Sequence, residues 1–187
     1  MILAFHSVFT TYGTWLPNEP RGSWSTFVAS WELYRFGKAT TVNTRRSIAG
    51  NTYDINVKKQ MQRALKYQPV RFTGNQAHVI AMAFGQTPYN LHALAVMPTH
   101  VHMVVGYTRR DIRHAIGHCK SEATRSLRRD GWFAEHSPWT DHGWNVYLNT
   151  DSDVQRAINY VRKNPLREGL REQRWSIVTP YDKTHVI

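Results

Sequence analysis

Two histidines separated by a single residue stand inside an apolar, valine-rich run. His100 and His102 follow Pro98, which breaks the segment before them. Side chains of a β-strand alternate between its faces, so both imidazoles would point the same way from a strand. Two imidazoles on one face form half of a site for a divalent metal ion. Taken alone, the pair is explained more simply as two polar residues on a solvated strand face.

A tyrosine and an asparagine four residues apart strengthen the metal interpretation. Tyr160 and Asn164 lie on a segment whose apolar residues recur at helical spacing, which would place both side chains on one helix face. A tyrosine phenolate can attack a phosphodiester and form a covalent phosphotyrosine. A divalent ion bound by two imidazoles and an amide oxygen keeps open positions for a phosphate oxygen. The four residues together predict phosphoryl transfer.

The bounds of the tyrosine helix are predicted from the residues at its ends. A dense cluster of N-cap residues, Thr150 to Asp153, stands at its start, and Ser152 with Gln155 fits a capping box. Asn164 precedes Pro165, and a following proline disfavours α geometry. The helix is therefore predicted to end at Asn164, which places the candidate ligand at a helix terminus.

The charge of the chain indicates a polyanionic partner. Its 187 residues contain 24 Lys and Arg against 13 Asp and Glu, a net charge of +11, with seven Trp and nine Tyr. Phosphate backbones bind clustered cations, and aromatic rings stack on unpaired bases. No apolar run is long enough to span a bilayer, and the single Cys119 excludes an internal disulfide. We therefore expect a cytoplasmic protein that binds nucleic acid and has no membrane partner.

The elements that must position these residues predict an α+β fold. Strands are predicted over 5–12, 90–96, 100–107 and 143–148, and helices over 54–65, 75–84, 109–129 and 152–164. An irregular insert, punctuated by proline and glycine, occupies about 13–53. This order predicts a sandwich in which an antiparallel sheet packs against helices, within a single domain spanning 1–187.

Five basic residues are candidates for contact with phosphates. The polar face of the long predicted helix carries Arg125 and Arg128, with Lys120 nearer its apolar stripe. Arg162 and Lys163 follow the tyrosine, close to where a scissile strand would pass. Solvated surface charge is the alternative explanation for all five side chains.

Two segments resemble a known family. Residues 91–105, LHALAVMPTHVHMVV, resemble the metal-binding strand of the single-tyrosine HUH transposases, in which two histidines flank a hydrophobic residue. Residues 157–170 resemble the tyrosine helix of that family, in its branch of REP-associated tyrosine transposases. Residues 10–17, TTYGTWLP, are also similar to the opening of some members.

The resemblance implies a site, a reaction and a fold. His100, His102 and Asn164 would bind Mg²⁺ or Mn²⁺, and Tyr160 would cleave single-stranded DNA to leave a 5′-phosphotyrosine and a free 3′-hydroxyl. The implied activity is that of a DNA nickase and strand transferase, acting in the bacterial cytoplasm on DNA with a hairpin or palindromic repeats. The implied fold is a ferredoxin-like sandwich with the histidines on a central strand. Either a monomer or a homodimer could act.

Two other functions remain open at the level of sequence. A DNA-binding protein of the same fold could have lost turnover, although all four candidate site residues are present. A zinc hydrolase could instead use His92 as a third ligand beside His100 and His102. The second alternative has no obvious glutamate base near the histidine pair.

Overall fold

The chain folds into two units in the computed structural model, which describes residues 1–42, 44, 48, 50–141 and 143–182. The sheet unit is formed by Met1–Thr10 and Arg71–Ile187, and the inserted unit by Thr11–Val70. In chain order the elements are β1 (Ala4–Thr10), α1 (Trp31–Tyr34), α2 (Ile55–Arg63), α3 (Gly74–Gly85), β2 (Leu91–Val96), β3 (His100–Gly106), α4 (Ile112–Arg129), β4 (Trp144–Leu148) and α5 (Asp151–Arg167). Within the described residues, no helix has both the length and the apolar character needed to cross a bilayer.

The strands of the sheet unit form one antiparallel sheet in the order β2-β3-β1-β4. In this unit α3 precedes β2, and α4 connects β3 to β4. The connectivity is therefore βαββαβ, followed by α5, which is the ferredoxin-like arrangement. The histidine-bearing strand β3 lies between β2 and β1. These observations confirm the predicted α+β fold and the central position of the histidine pair.

One face of the sheet is covered by α3 and α4, and we call it the α3/α4 face. Phe9 of β1 contacts the rings of Phe84 in α3 and of Trp139, at centroid distances of 6.2 and 5.4 Å. Val101, opposite Phe9, and Met103 are fully buried on the same side. The apolar stripe predicted for α4 is buried as expected, at Ile112, Ile116, Cys119, Ala123 and Leu127.

The opposite face packs against α5, and we call it the α5 face. Ala93 and Ala95 of β2 and Val104 of β3 are buried there in one apolar cluster. The helix contributes its predicted stripe to the same cluster, at Val154, Ala157, Ile158 and Val161. Because the sheet residues are small, the helix backbone can approach the strands closely.

The predicted capping box and the predicted C-terminal end of α5 are both wrong. The N-cap is Thr150, the first residue of the predicted cluster, rather than Ser152, because the Thr150 hydroxyl accepts a hydrogen bond from the Asp153 N–H at 3.1 Å. The helix also continues past Asn164 and through Pro165 to Arg167. Pro165 lacks an N–H, but it is buried in the last turn, so packing offsets the loss of a single helical hydrogen bond. Asn164 is consequently held in regular helix.

The inserted unit has a small core of its own. Leu16, Leu33 of α1 and Met61 of α2 are buried together. The helix predicted near Asp54 is confirmed, since the Asp54 carboxylate accepts hydrogen bonds from the first N–H groups of α2. The buried Glu19 carboxylate accepts a hydrogen bond from the Arg21 guanidinium at 3.1 Å. The organisation of 1–187 as a single domain stays a prediction.

Candidate active site

The two histidines of β3 project together onto the α5 face. The ring centroids of His100 and His102 are 4.9 Å apart. A third imidazole joins them from β1, because the Nε2 atom of His6 lies 3.2 Å from the Nδ1 atom of His102. Residues on adjacent antiparallel strands that are offset by two positions share a face, which explains how His6 reaches His102. The face therefore holds three imidazoles.

Tyr160 lies directly over these rings. Its ring centroid is 5.5 Å from that of His102 and 5.7 Å from that of His6. The side chain is 41% exposed, so its phenol remains accessible while the ring is held. The Arg167 guanidinium lies 5.1 Å from the centre of the tyrosine ring, and its residue stands about two turns further along the same face of α5. A positive charge thus stands beside the candidate nucleophile.

Asn164 brings an oxygen atom to the same place. It is buried next to His100, close enough for a weak hydrogen bond that raises the pKa of that ring, and no other partner reaches its buried Oδ1 atom. A cation could satisfy an acceptor that is buried in this way. Within the described residues, no group of three or more His, Cys, Asp or Glu side chains is placed to hold a metal ion. A metal ion on this face would accordingly need the amide oxygen of Asn164 as well as the imidazoles.

Burial keeps the imidazoles uncharged. Burial lowers the pKa of His6 to about 4 and, with the neighbouring His100 and His6, lowers the pKa of His102 to about 2. The pKa of His100 is also lowered by burial, against the opposing effects of Glu168 and Asn164. Neutral imidazole is the form that binds a metal ion. At neutral pH the three rings are therefore uncharged, which is the form in which His100 and His102 could act as ligands.

Two residues of this site were missed by the sequence reasoning. His6 lies on the predicted opening strand, but only the pairing of β1 with β3 shows that it meets His102. Glu168 caps α5, and its Oε1 atom lies 3.6 Å from the Nε2 atom of His100. Glu168 was missed because the helix was predicted to end before it. It adds a carboxylate oxygen to the donors around His100.

The three basic candidates of α4 lie together, on the α3/α4 side of the sheet. Lys120, Arg125 and Arg128 line one open cavity of about 430 Å³. Lys120 is buried, and its Nζ atom donates to the carbonyl oxygens of Thr140 and Asp141 at 2.7 and 3.3 Å. Burial lowers the pKa of Lys120 to about 8.

The exposed arginines of this cavity also have protein partners. Arg125 pairs with Glu122, and the Nε atom of Arg128 donates to the carbonyl oxygen of Phe133. Their contact with phosphate stays a prediction. Arg162 and Lys163, by contrast, are exposed on α5. These two side chains lie on the helix that carries the candidate nucleophile.

His92 is not brought to the histidine pair. It lies near the start of β2, where its Nδ1 atom is 3.2 Å from the carbonyl oxygen of Thr179 and its ring packs on Tyr181. His100 pairs with the opposite end of the β2-β3 hairpin. This placement disfavours a zinc site made from all three residues.

Comparison with known proteins gives one sequence relative. No family model matches the chain. A protein of Haemophilus influenzae named as a REP-associated tyrosine transposase is 24% identical over 110 residues, covering 52% of this chain and 60% of that protein. This similarity confirms the resemblance drawn from the motifs. Because the chain spans 60% of the relative's length, the activity and partners of that protein are carried over only as proposals.

Two solved structures resemble the chain distantly. One is a REP-associated tyrosine transposase bound to a REP hairpin, with a TM-score of 0.45 and 13% identity over 90% of this chain and 70% of that one. The other is a protein of Deinococcus radiodurans described as a transposase, with a TM-score of 0.40 and 12% identity over 92% and 94% of the two chains. At TM-scores below 0.5, neither likeness carries an argument about function.

Proposed function

We propose that this chain, which is similar in sequence to a REP-associated tyrosine transposase, is a metal-dependent nickase and strand transferase for single-stranded DNA. The observation that carries the proposal is the convergence of Tyr160 with His100, His102 and Asn164 on one face of the sheet. These four residues come from two elements that are about sixty positions apart in the chain. A phenol beside a set of neutral ligands is the arrangement that phosphoryl transfer to tyrosine needs.

The donor set suits a divalent cation. Two imidazole nitrogens and the buried amide oxygen of Asn164 are close together, and the Glu168 carboxylate lies beside His100. Mg²⁺ and Mn²⁺ both accept oxygen ligands, and the imidazoles make Mn²⁺ chemically favourable. When bound, the ion would polarise a phosphate and orient it for in-line attack.

The protein's part in the reaction is to position the phenol and the DNA strand. The Tyr160 oxygen attacks the phosphorus, a bond forms between them, and the phenolic proton passes to solvent. The bond from phosphorus to the 3′ oxygen breaks and that oxygen takes up a proton from solvent, which leaves a 5′-phosphotyrosine and a free 3′-hydroxyl. A second 3′-hydroxyl can reverse these changes and join the strands without an external source of energy. Arg167, beside the phenol ring, is placed to contact the phosphate.

The substrate proposed for this site is single-stranded DNA with a hairpin or palindromic repeats. Arg162 and Lys163 are exposed on α5 and would contact the backbone near the cleaved phosphate. The net charge of +11 supports a polyanionic substrate. The similarity of this chain to a protein named as a REP-associated tyrosine transposase supports repeats as the target class.

The test is formation of a covalent adduct. Single-stranded fragments that tile the flanks of the gene, on both strands, are incubated with the protein and Mn²⁺, and adducts are resolved on denaturing gels. We expect an adduct whose nucleotide remains on the peptide that contains Tyr160 after proteolysis. Tyr160→Phe should abolish it, while Tyr107→Phe, which alters an exposed tyrosine beyond β3, should not.

Three outcomes would oppose this proposal. An adduct that persists in Tyr160→Phe would remove the role of Tyr160. An adduct of equal yield in EDTA would remove the role of the metal ion. Tight binding to a fragment with no adduct in Mn²⁺ or Mg²⁺ would favour the alternative of a DNA-binding protein without turnover.

A further inference from the structure

Exposed aromatic side chains are concentrated in a short stretch of the inserted unit. Trp24, Phe27, Trp31 and Tyr34 are 46%, 68%, 88% and 60% exposed. Folded proteins rarely leave several large aromatic rings this accessible without a binding role. None of these residues belongs to the site around Tyr160, so the proposed chemistry does not explain them.

The fold of the inserted unit holds two of these rings side by side. Trp31 and Tyr34 occupy one edge of α1, with ring centroids 6.2 Å apart and planes inclined by 55°. Leu33 of the same helix is buried in the core of the unit, and its carbonyl oxygen accepts a hydrogen bond from Asn18 at 2.8 Å. The buried leucine fixes α1, so the two rings face away from the core. We call the surface of Trp31 and Tyr34 the aromatic platform.

Two cationic side chains lie beside α1, the helix that carries the aromatic platform. Residues 11–70 contain nine Lys and Arg against three Asp and Glu. Arg35 follows Tyr34 directly and lies 5.0 Å over the ring of Phe36. Lys66 is close enough to Glu32 to contribute to the lowered pKa of that carboxyl, behind the larger effect of its hydrogen bond with Ser30. Lys66 therefore offsets part of the negative charge of Glu32 within the unit.

We propose that the aromatic platform binds unpaired bases of single-stranded DNA by stacking, with Arg35 and Lys66 contacting the neighbouring phosphates. Aromatic rings accept any base because every base has a π-face, and adjacent cations follow the backbone. A neutral apolar partner would gain nothing from the surrounding positive charge. The proposal rests on the proposed function for its choice of DNA, and it gives the inserted unit a role in holding the substrate.

The experiment measures binding without cleavage. A labelled single strand of about 16 nucleotides and a duplex of the same length are titrated with the full chain in EDTA, using fluorescence anisotropy. Trp31→Ala should weaken single-strand binding about tenfold or more, and Trp31→Ala/Tyr34→Ala should weaken it further. Duplex binding should change less, because paired bases offer no free face. Tyr107→Ala, which removes an exposed ring of the sheet unit, is the matched control and should bind like the parent.

Two further variants separate stacking from charge and from folding. Trp31→Phe keeps a ring and should restore most of the affinity that Trp31→Ala loses. Lys66→Gln should reduce the slope of log affinity against log salt by about 0.7, the value for one phosphate contact to a single strand. Because Trp31 is almost fully exposed, its variants should unfold at the parent's temperature.

Several results would overturn the inference. Unchanged single-strand affinity in the double variant would do so, as would an equal loss for single strand and duplex. If RNA of the same sequence bound more tightly than DNA, the ligand of the aromatic platform would be RNA instead. Self-association that Trp31→Ala abolishes, measured by sedimentation, would make the platform an interface between copies. Adduct formation through Tyr160 is measured separately, so either proposal can fail while the other stands.

Discussion

The two faces of the sheet differ in what they bury, although they share every strand. From β3, Val101 and Met103 enter a dense apolar layer with Phe9, Phe84 and the α3 and α4 helices. The same strand sends His100 and His102 to the other face, where they meet His6 and α5. One face thus stabilises the fold, and the other gives up apolar volume to the polar side chains of the candidate site.

The α5 face compensates for its polar residues by close packing of small ones. Ala93, Ala95 and Ala157 line the cluster between the sheet and α5. Small side chains let the helix approach the strands, and this approach brings Tyr160 within 5.5 Å of the His102 ring. The site therefore depends on the helix–sheet distance, while stability depends on the α3/α4 face.

The largest expected effect is on the stability of the α3/α4 face. Phe9→Ala should lower the free energy of unfolding by about 3–5 kcal/mol, because it removes a fully buried ring and leaves a cavity. Urea denaturation followed by tryptophan fluorescence measures this loss. His102→Leu, on the α5 face of the neighbouring strand, should cost much less because it replaces one neutral buried ring with an apolar group.

These two variants directly test whether stability depends mainly on the α3/α4 face and Mn²⁺ binding on the α5 face. Mn²⁺ binding should survive in Phe9→Ala at temperatures where the variant is folded, and should be lost in His102→Leu. Equal losses of stability in the two variants would contradict the comparison.

A smaller change in the free energy of unfolding is expected when the pH is lowered, and it arises from the buried histidines of the α5 face. The folded chain keeps His6 and His102 neutral, with pKa values of about 4 and about 2, whereas unfolded histidine takes up a proton near 6.5. The unfolded state therefore binds more protons below 6.5, and stability falls as pH falls. Between about pH 7.5 and 5.5, the two groups together should lower the free energy of unfolding by about 2–3 kcal/mol.

The pH range is chosen so that carboxylates contribute little. Urea midpoints are measured in EDTA across this range for the parent chain and for His6→Leu. The variant lacks one of the rings that titrate on unfolding, so its stability should fall by about 1.4 kcal/mol less than that of the parent. A pH dependence that is identical in the two proteins would show that His6 is not buried in its neutral form.

Local pattern was enough to predict the strands, α4 and the placement of Tyr160 and Asn164 on one helix, because each depends on spacing within one element. The contact of His6 with His102 was not predictable in this way. It arises from the register of β1 against β3, in which Val8 lies opposite His102, and long-range register is not written in either segment alone.

The prediction of where α5 ends was wrong for a different reason. The sequence rule at Asn164 and Pro165 describes an isolated chain, whereas packing of Pro165 against the protein overrides it. Glu168 was missed as a consequence. In the inserted unit, Leu16, Leu33 and Met61 form a small core, and no periodic pattern in the sequence predicts it.

The smallest expected effect concerns His6 as a residue that positions His102. If His102 offers its Nε2 atom to a metal ion, its Nδ1–H donates to the Nε2 atom of His6, which lies 3.2 Å away. His6→Leu removes this acceptor and should weaken Mn²⁺ binding about tenfold, or ~1.4 kcal/mol, as measured by isothermal titration calorimetry. His6→Gln keeps an acceptor oxygen on a side chain of similar length and should lose less.

The relative Mn²⁺ affinities of His6→Leu and His6→Gln distinguish a positioning role of His6 from a packing role. Leucine fills a buried site better than glutamine, so a packing role predicts that His6→Gln is the worse binder of Mn²⁺. A positioning role predicts the reverse, with both variants folded at about pH 7.5. The tautomer of His102 gives an independent check, because ¹⁵N spectra of the metal-free parent should show the proton on Nδ1 and those of His6→Leu should show a mixture. A His102 ring with its proton on Nε2 in the parent would oppose the proposed geometry.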